Sequence, residues 1–146
     1  MIPLHQPWHL NIFATHEERQ ETATGPWPGD HILGVALPCT RAIRKKIRIR
    51  HGLLECVATI LDIGPWCIDD ALYVLDGQRP RAELLKGKPC PTWIGGPAVA
   101  SVPNGNGGMK IAPISNGAGI DLYPGTARAL GIPIGENAFV DWCFEI

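Results

Sequence analysis

Between Lys46 and Ile63 the chain carries two adjoining stretches with the period of strands, and the rest of the fold must be built around them. Lys46-Ile-Arg-Ile-Arg50 alternates strictly between charged and apolar residues, the pattern of a strand with one wet face. His51-Gly52 makes a turn. Leu53 to Ile63 follows, apolar and β-branched on both faces, and reads as a central strand. Together the two predict a hairpin. A helical bundle around such a hairpin is excluded by punctuation: the 146 residues include 17 Gly and 14 Pro. Each Gly or Pro costs about 1 or 3 kcal/mol in a helix interior. The glycines follow no Gly-X-Y period, so a collagen-like rod is excluded too. The expectation is one turn-rich, mainly β domain.

Further elements follow from local chemistry. Asn11-Ile-Phe-Ala-Thr15 suits a short strand, and Ile32 to Leu37 a buried one stopped by Pro38. Pro124-Gly-Thr-Ala-Arg-Ala-Leu130 is a short helix, with Pro124 at its first position and Gly131 as its left-handed cap. Ala138 to Phe144 closes the chain as a strand. From Trp66 to Asn116 the period dissolves, although Asp69 to Leu75 suits a turn of helix. So long a stretch without period is unusual inside a compact domain.

Several function classes fall away. The net charge is -1, so bulk electrostatics names no partner, and nucleic acid is not expected. The first residues lack a basic region followed by an apolar run, and no window approaches ~18 apolar residues. Neither a signal peptide nor a membrane span is therefore expected. Cys39, Cys56, Cys67, Cys90 and Cys143 stand singly without a C-x-x-C. No metal site and no cofactor is expected from them. Reduced thiols, or one or two disulfides with a thiol left over, both remain open. His5 and His9 have i,i+4 spacing, but Pro7 between them argues against a metal-binding helix. Ser101 and Ser115 lie in no G-x-S-x-G, and the glycine clusters fit no phosphate-binding loop. Six of the 13 basic residues fall between Arg41 and Arg50. They suit a solvated strand face or the binding of an anionic polymer.

Two carboxylates stand out by position. Asp62 ends the most apolar stretch, just before Ile63-Gly64-Pro65, and Asp121 sits between a Gly-rich turn and the short helix. A half-desolvated carboxylate at a strand end can act as a general acid toward a glycosidic oxygen. Hydrolysis requires a pair about 5–5.5 or 6.5–9.5 Å apart. An intramolecular transfer requires one only. The competing reading is structural: an Asp before a turn binds its own backbone, and one near a helix start meets free N–H groups. Trp66, Tyr73, Trp93 and Tyr123 lie near these acids in sequence. Such rings stack on sugars or fill cores.

The series Gly34-Val-Ala-Leu-Pro38, Lys46-Ile-Arg-Ile-Arg50, Val57-Ala-Thr-Ile-Leu-Asp-Ile-Gly-Pro-Trp66 and Asn116-Gly-Ala-Gly-Ile-Asp-Leu-Tyr-Pro-Gly-Thr-Ala-Arg-Ala-Leu-Gly131, with the closing strand, resembles the rare lipoprotein A-like double-psi β-barrel. The same barrel underlies expansins, barwin-like proteins, some endoglucanases and the membrane-bound lytic transglycosylase A family. The resemblance runs from about Gly34 to the C-terminus, interrupted by the central loop. It implies a mainly β, six-stranded double-psi barrel with one or two short helices. Residues 1–146 would form a single domain, with 66–118 as a long Gly/Pro-rich insertion.

The resemblance also implies a glycan-binding groove and an activity on peptidoglycan or a related glycan. Asp121 would be the acid/base of a lytic transglycosylase, forming 1,6-anhydro ends, and Asp62 its partner. Trp66, Asp70, Asn116 and Tyr123 would line the groove. An expansin-like binding module without catalysis is the alternative, as is a virion or tail component; a homo-oligomer or virion assembly is the matching expectation for partners. Residues Asp76 to Glu83 look similar to a phage and prophage subgroup, so action at the cell wall, by lysis or from a virion, is the expectation. Two family features are missing: no His precedes the Leu37-Pro38 step, and Ile63 stands where the family's Asp-Arg-Gly-Pro has Arg.

Overall fold

A computed structural model of the chain describes residues 7–17, 22–65, 69–89, 101–103, 106–111 and 114–145. The fold is mainly β. Its strands are β1 (His9–His16), β2 (Gly34–Leu37), β3 (Lys46–His51), β4 (Leu54–Ile63), β5 (Ser101–Pro103), β6 (Met109–Ile111), β7 (Ile120–Leu122) and β8 (Ala138–Phe144). Three short helices, α1 (Ala71–Val74), α2 (Arg81–Leu84) and α3 (Pro124–Ala129), accompany them, with a 3-10 turn at Thr40–Ala42. Six strands close into a barrel in the order β1-β7-β2-β4-β3-β8, while β5 and β6 form a separate two-stranded sheet.

The barrel has an internal symmetry that its topology displays directly. Its strands in chain order are β1, β2, β3 and then β4, β7, β8. Exchanging the first three for the last three returns the same ring. The two parallel pairs, β1 with β7 and β2 with β4, are exchanged by this operation. The antiparallel pairs β2–β7 and β3–β8 map onto themselves. The 3-10 turn after β2 and α3 after β7 occupy equivalent places. This arrangement fits the double-psi barrel anticipated from the sequence.

The hairpin expectation corresponds to β3 and β4, paired antiparallel from Lys46↔Thr59 to His51↔Leu54, with Gly52 at φ 58 in the turn. The expectation of apolar burial on both faces of the following strand does not hold. Ala58 and Ile60 are buried, whereas Leu53 is fully exposed and Leu54 is 49% exposed. A closed barrel turns only one face of each strand inward, unlike a parallel sheet covered by helices on both sides. The inward row of Ile12, Ala14, Val35, Leu37, Ile47, Ile49, Ala58, Ile60, Ile120, Leu122, Val140 and Trp142 forms one core.

Polar groups pin the α1–α2 segment to this core. The Trp142 indole N–H donates to the Tyr73 hydroxyl (2.8 Å), which donates to the Gly119 carbonyl (3.0 Å). All three elements are thereby fixed by one buried chain of hydrogen bonds. A second anchor is Arg79. Its guanidinium donates to the carbonyls of Leu10 (2.5 Å) and Asn11 (3.0 Å) and pairs with Glu83. Those carbonyls lie where the β1–β8 register shifts and Asn11 adopts φ 52. A bulge leaves backbone groups outside the ladder, and the arginine fork takes them up.

The basic stretch is a solvated strand face. Arg48 pairs with Glu55 and Glu145, and Arg50 pairs with Asp141 and stacks over Trp8 at 4.0 Å. Cys39, Cys56 and Cys143 are free thiols whose pKa values burial pushes up, and Cys67 and Cys90 lie outside the described residues. Among the described residues no helix is long and apolar enough to cross a membrane.

Candidate functional site

The barrel gathers the two candidate carboxylates into one row. Ala36 of β2 is in register with Asp121 of β7 on one side and with Asp62 of β4 on the other. Thr15 of β1 is in register with Asp121 in turn. The row therefore reads Asp62–Ala36–Asp121–Thr15 across four neighbouring strands. Strands lie about 4.8 Å apart, so the two aspartate backbones are about 10 Å apart across β2. Val35 and Leu37 point into the core, as do Ile120 and Leu122, so Ala36 and Asp121 face outward between them.

A local irregularity puts Asp62 there. Val35 pairs with Ile60, but Ala36 pairs with Asp62, because the register shifts by one residue at Leu61. An unshifted ladder would set Leu61 beside Ala36 instead. A turn at Thr22–Gly25 binds over this bulge. Thr24 donates to the Leu61 carbonyl (2.8 Å), and the Ala23 N–H donates to Asp62 Oδ1 (2.8 Å). The Ile63 N–H donates to the same oxygen (2.9 Å). Asp62 Oδ2 meets no hydrogen-bond donor among the described residues. Asp121 Oδ1 accepts a short hydrogen bond from the Thr15 hydroxyl.

The gap between the acids is covered on its outer side. The outward Ala36 side chain is fully buried and lies outside the core cluster, so other groups lie over it. Tyr123, Glu17 and Thr22 are all buried, and both Glu17 and Asp62 lie close enough to Tyr123 to act on it. Burial raises the Tyr123 phenol pKa, and the charges of Glu17 and Asp62 raise it further. Its hydroxyl has no hydrogen-bond partner among the described residues. Trp27 stacks on the Tyr123 ring at 4.7 Å and donates from Nε1 to Asp30 Oδ1 (2.9 Å). Gly34 leaves room for that ring: a Cβ there would lie 2.8 Å from Tyr123 Cδ2.

On the other side of Asp121 the outer face opens into a cleft of about 340 Å³. Phe13 and Phe139, in register across β1 and β8 with ring centres 5.3 Å apart, form one wall. Arg79, Glu83, Lys86, Asn116, Gly117 and Asn11 complete it. Phe13 is two residues from Thr15 on the same face of β1, about 7 Å along the strand. The cleft thus adjoins the Asp121 end of the row.

The six residues singled out in the sequence are distributed unevenly. Asp62 and Asp121 share the row, and the buried Tyr123 ring lies against Gly34 of β2. Asn116 is exposed at the cleft, where its Oδ1 accepts from the Ala118 N–H (2.9 Å) and shapes the turn into β7. Asp70 is turned to the fold: it is 6% exposed and accepts from the N–H groups of Tyr73 (3.4 Å) and Arg81 (2.6 Å). Trp66 lies outside the described residues, as does Trp93. Sequence reasoning missed Thr15, Glu17, Trp27, Phe13 and Phe139. The only available signal was the outward phase of β1, which marks Phe13 and Thr15 together.

No family model matches the chain, and no curated protein matches it.

Proposed function

We propose that the chain is a peptidoglycan-active, glycan-cleaving enzyme of the lytic-transglycosylase type on a rare lipoprotein A-like barrel. The observation that carries this reading is the row Asp62–Ala36–Asp121–Thr15, in which two acids about 60 residues apart become outward neighbours on either side of one strand. Asp121 is the acid/base. In its protonated form it gives a proton to the glycosidic oxygen as the C1–O bond breaks. Its carboxylate then takes the proton of the sugar's own C6 hydroxyl, whose oxygen bonds to C1. The product is a 1,6-anhydro end, and no water is consumed. Thr15 orients the Asp121 carboxylate. Asp62 offers its Oδ2, which meets no donor among the described residues, to a sugar hydroxyl.

The test is digestion of purified sacculi followed by mass spectrometry. Anhydro-muropeptides should appear with the unaltered protein, and Asp121→Asn should lower their release by at least about 100-fold. Reducing-end products, or release unaffected by the substitution, would refute the assignment. One observation favours a second reading, an expansin-like binding module. The complete burial of Ala36 leaves no open trough between the two acids, while the adjoining cleft is open. Under that reading sacculi retain the protein, no soluble product forms, and Asp121→Asn changes little.

A further inference from the structure

We infer that the Phe13–Phe139 cleft is a subsite for a sugar unit bearing a carboxylate. The inference deepens the reading of the barrel as glycan-active and rests on it. Three features of the cleft specify the ligand. The first is an aromatic wall. Phe139 is 61% exposed although it is large and apolar, and its ring is tilted against Phe13. An exposed aromatic pair offers the apolar face that the C–H groups of a pyranose ring cover.

The second is an unused polar group. The Asn11 side-chain amide has no hydrogen-bond partner among the described residues, and its backbone is already fixed by Asp141 (2.8 Å). It can donate to and accept from ring hydroxyls. The third is charge. Arg79 is committed to Glu83 and to two backbone carbonyls. Lys86 has no acidic partner among the described residues, and its stem lies across Gly117, where a Cβ would be 3.3 Å from Lys86 Cδ. Gly117, at φ 89, keeps that path clear. Among the described residues the cleft therefore carries one ammonium, that of Lys86, without an acidic partner beside an aromatic platform.

A neutral sugar would use the platform and the amide and leave the ammonium unused. An aliphatic acid would use the ammonium and leave the rings wet. A carboxylated sugar uses all three. With Phe13 about 7 Å along β1 from Thr15, a sugar in the cleft belongs to the same glycan chain as one at Asp121.

The experiment measures binding of two tetrasaccharides to the Asp121→Asn protein, which holds its ligand uncleaved. One is GlcNAc–MurNAc with free lactyl carboxylates, and the other is chitotetraose, its neutral counterpart. The carboxylated chain should bind roughly tenfold more tightly, the scale of one charge-assisted hydrogen bond at a partly exposed site. Lys86→Gln should abolish that preference without weakening chitotetraose. Phe139→Ala, at an exposed position that leaves the core intact, should weaken both by tenfold or more. Equal binding of the two sugars, a preference that survives Lys86→Gln, or binding indifferent to Phe139→Ala would overturn the subsite. The two readings fail separately. Loss of sacculus cleavage with this binding pattern retained refutes the enzyme and keeps the subsite. Cleavage by the unaltered protein without the pattern does the reverse.

Discussion

Acidifying the protein below pH 6.5 works against the buried ring of His9. It stacks on Trp142 at a centre-to-centre distance of 3.9 Å and meets the edge of Tyr73 at 5.3 Å. Burial, opposed by a backbone hydrogen bond at Val74 and helped by the Arg79 charge, lowers its pKa from 6.5 to about 4. Tyr73, the other titratable group in contact, is held neutral by its own burial. The folded state therefore binds fewer protons than the unfolded chain between pH 6.5 and 4. The resulting stability is fully present above pH 6.5 and is lost as the pH falls toward 4.

A single proton gives a slope of at most about 1.4 kcal/mol per pH unit. The full effect is bounded at about 3 kcal/mol, and solvent at the ring edge reduces it to about 1–2 kcal/mol by pH 5. Urea unfolding at pH 7, 6 and 5 measures it, with His9→Phe as the reference that keeps the stack and removes the titration. The unaltered protein should lose about 1–2 kcal/mol more than the variant over that range. Parallel pH profiles, or a His9 ring that titrates near 6.5 by NMR, would refute the reasoning.

Two further outcomes test the framework around the site. Tyr73→Phe leaves the Trp142 N–H and the Gly119 carbonyl without their shared partner and should cost about 1–3 kcal/mol in chemical denaturation. Gly34→Ala drives a methyl group to 2.8 Å from the Tyr123 ring and 2.9 Å from Leu61. It should destabilise the fold by about 1–3 kcal/mol and alter the Trp27 fluorescence through the displaced stack.

Much of the barrel was legible in the chain because its signals are local. Strict alternation marked Lys46 to Arg50, and the paired breakers Pro124 and Gly131 framed α3, which spans Pro124–Ala129 with Gly131 at φ 69. The last strand was readable from its apolar content, and β8 runs Ala138–Phe144. The candidate site was legible only in part. Asp62 and Asp121 were visible as acids at element ends, but nothing local distinguishes them from Asp70, which the fold uses to hold two backbone N–H groups. Glu17 reads in sequence as one charge among several, yet it is 6% exposed beside Tyr123.

The sequence by itself determined the mainly β class, most of the barrel strands and the helix that follows Asp121, since periodicity, breakers and caps act within a few residues. Only the closed sheet decided which residues meet. The ring order β1-β7-β2-β4 sets Thr15, Asp121, Ala36 and Asp62 side by side, and a one-residue shift at Leu61 chooses Asp62 for the place beside Ala36. Strand order and register depend on how apolar faces from distant segments fill one interior, and no window of the chain contains that information.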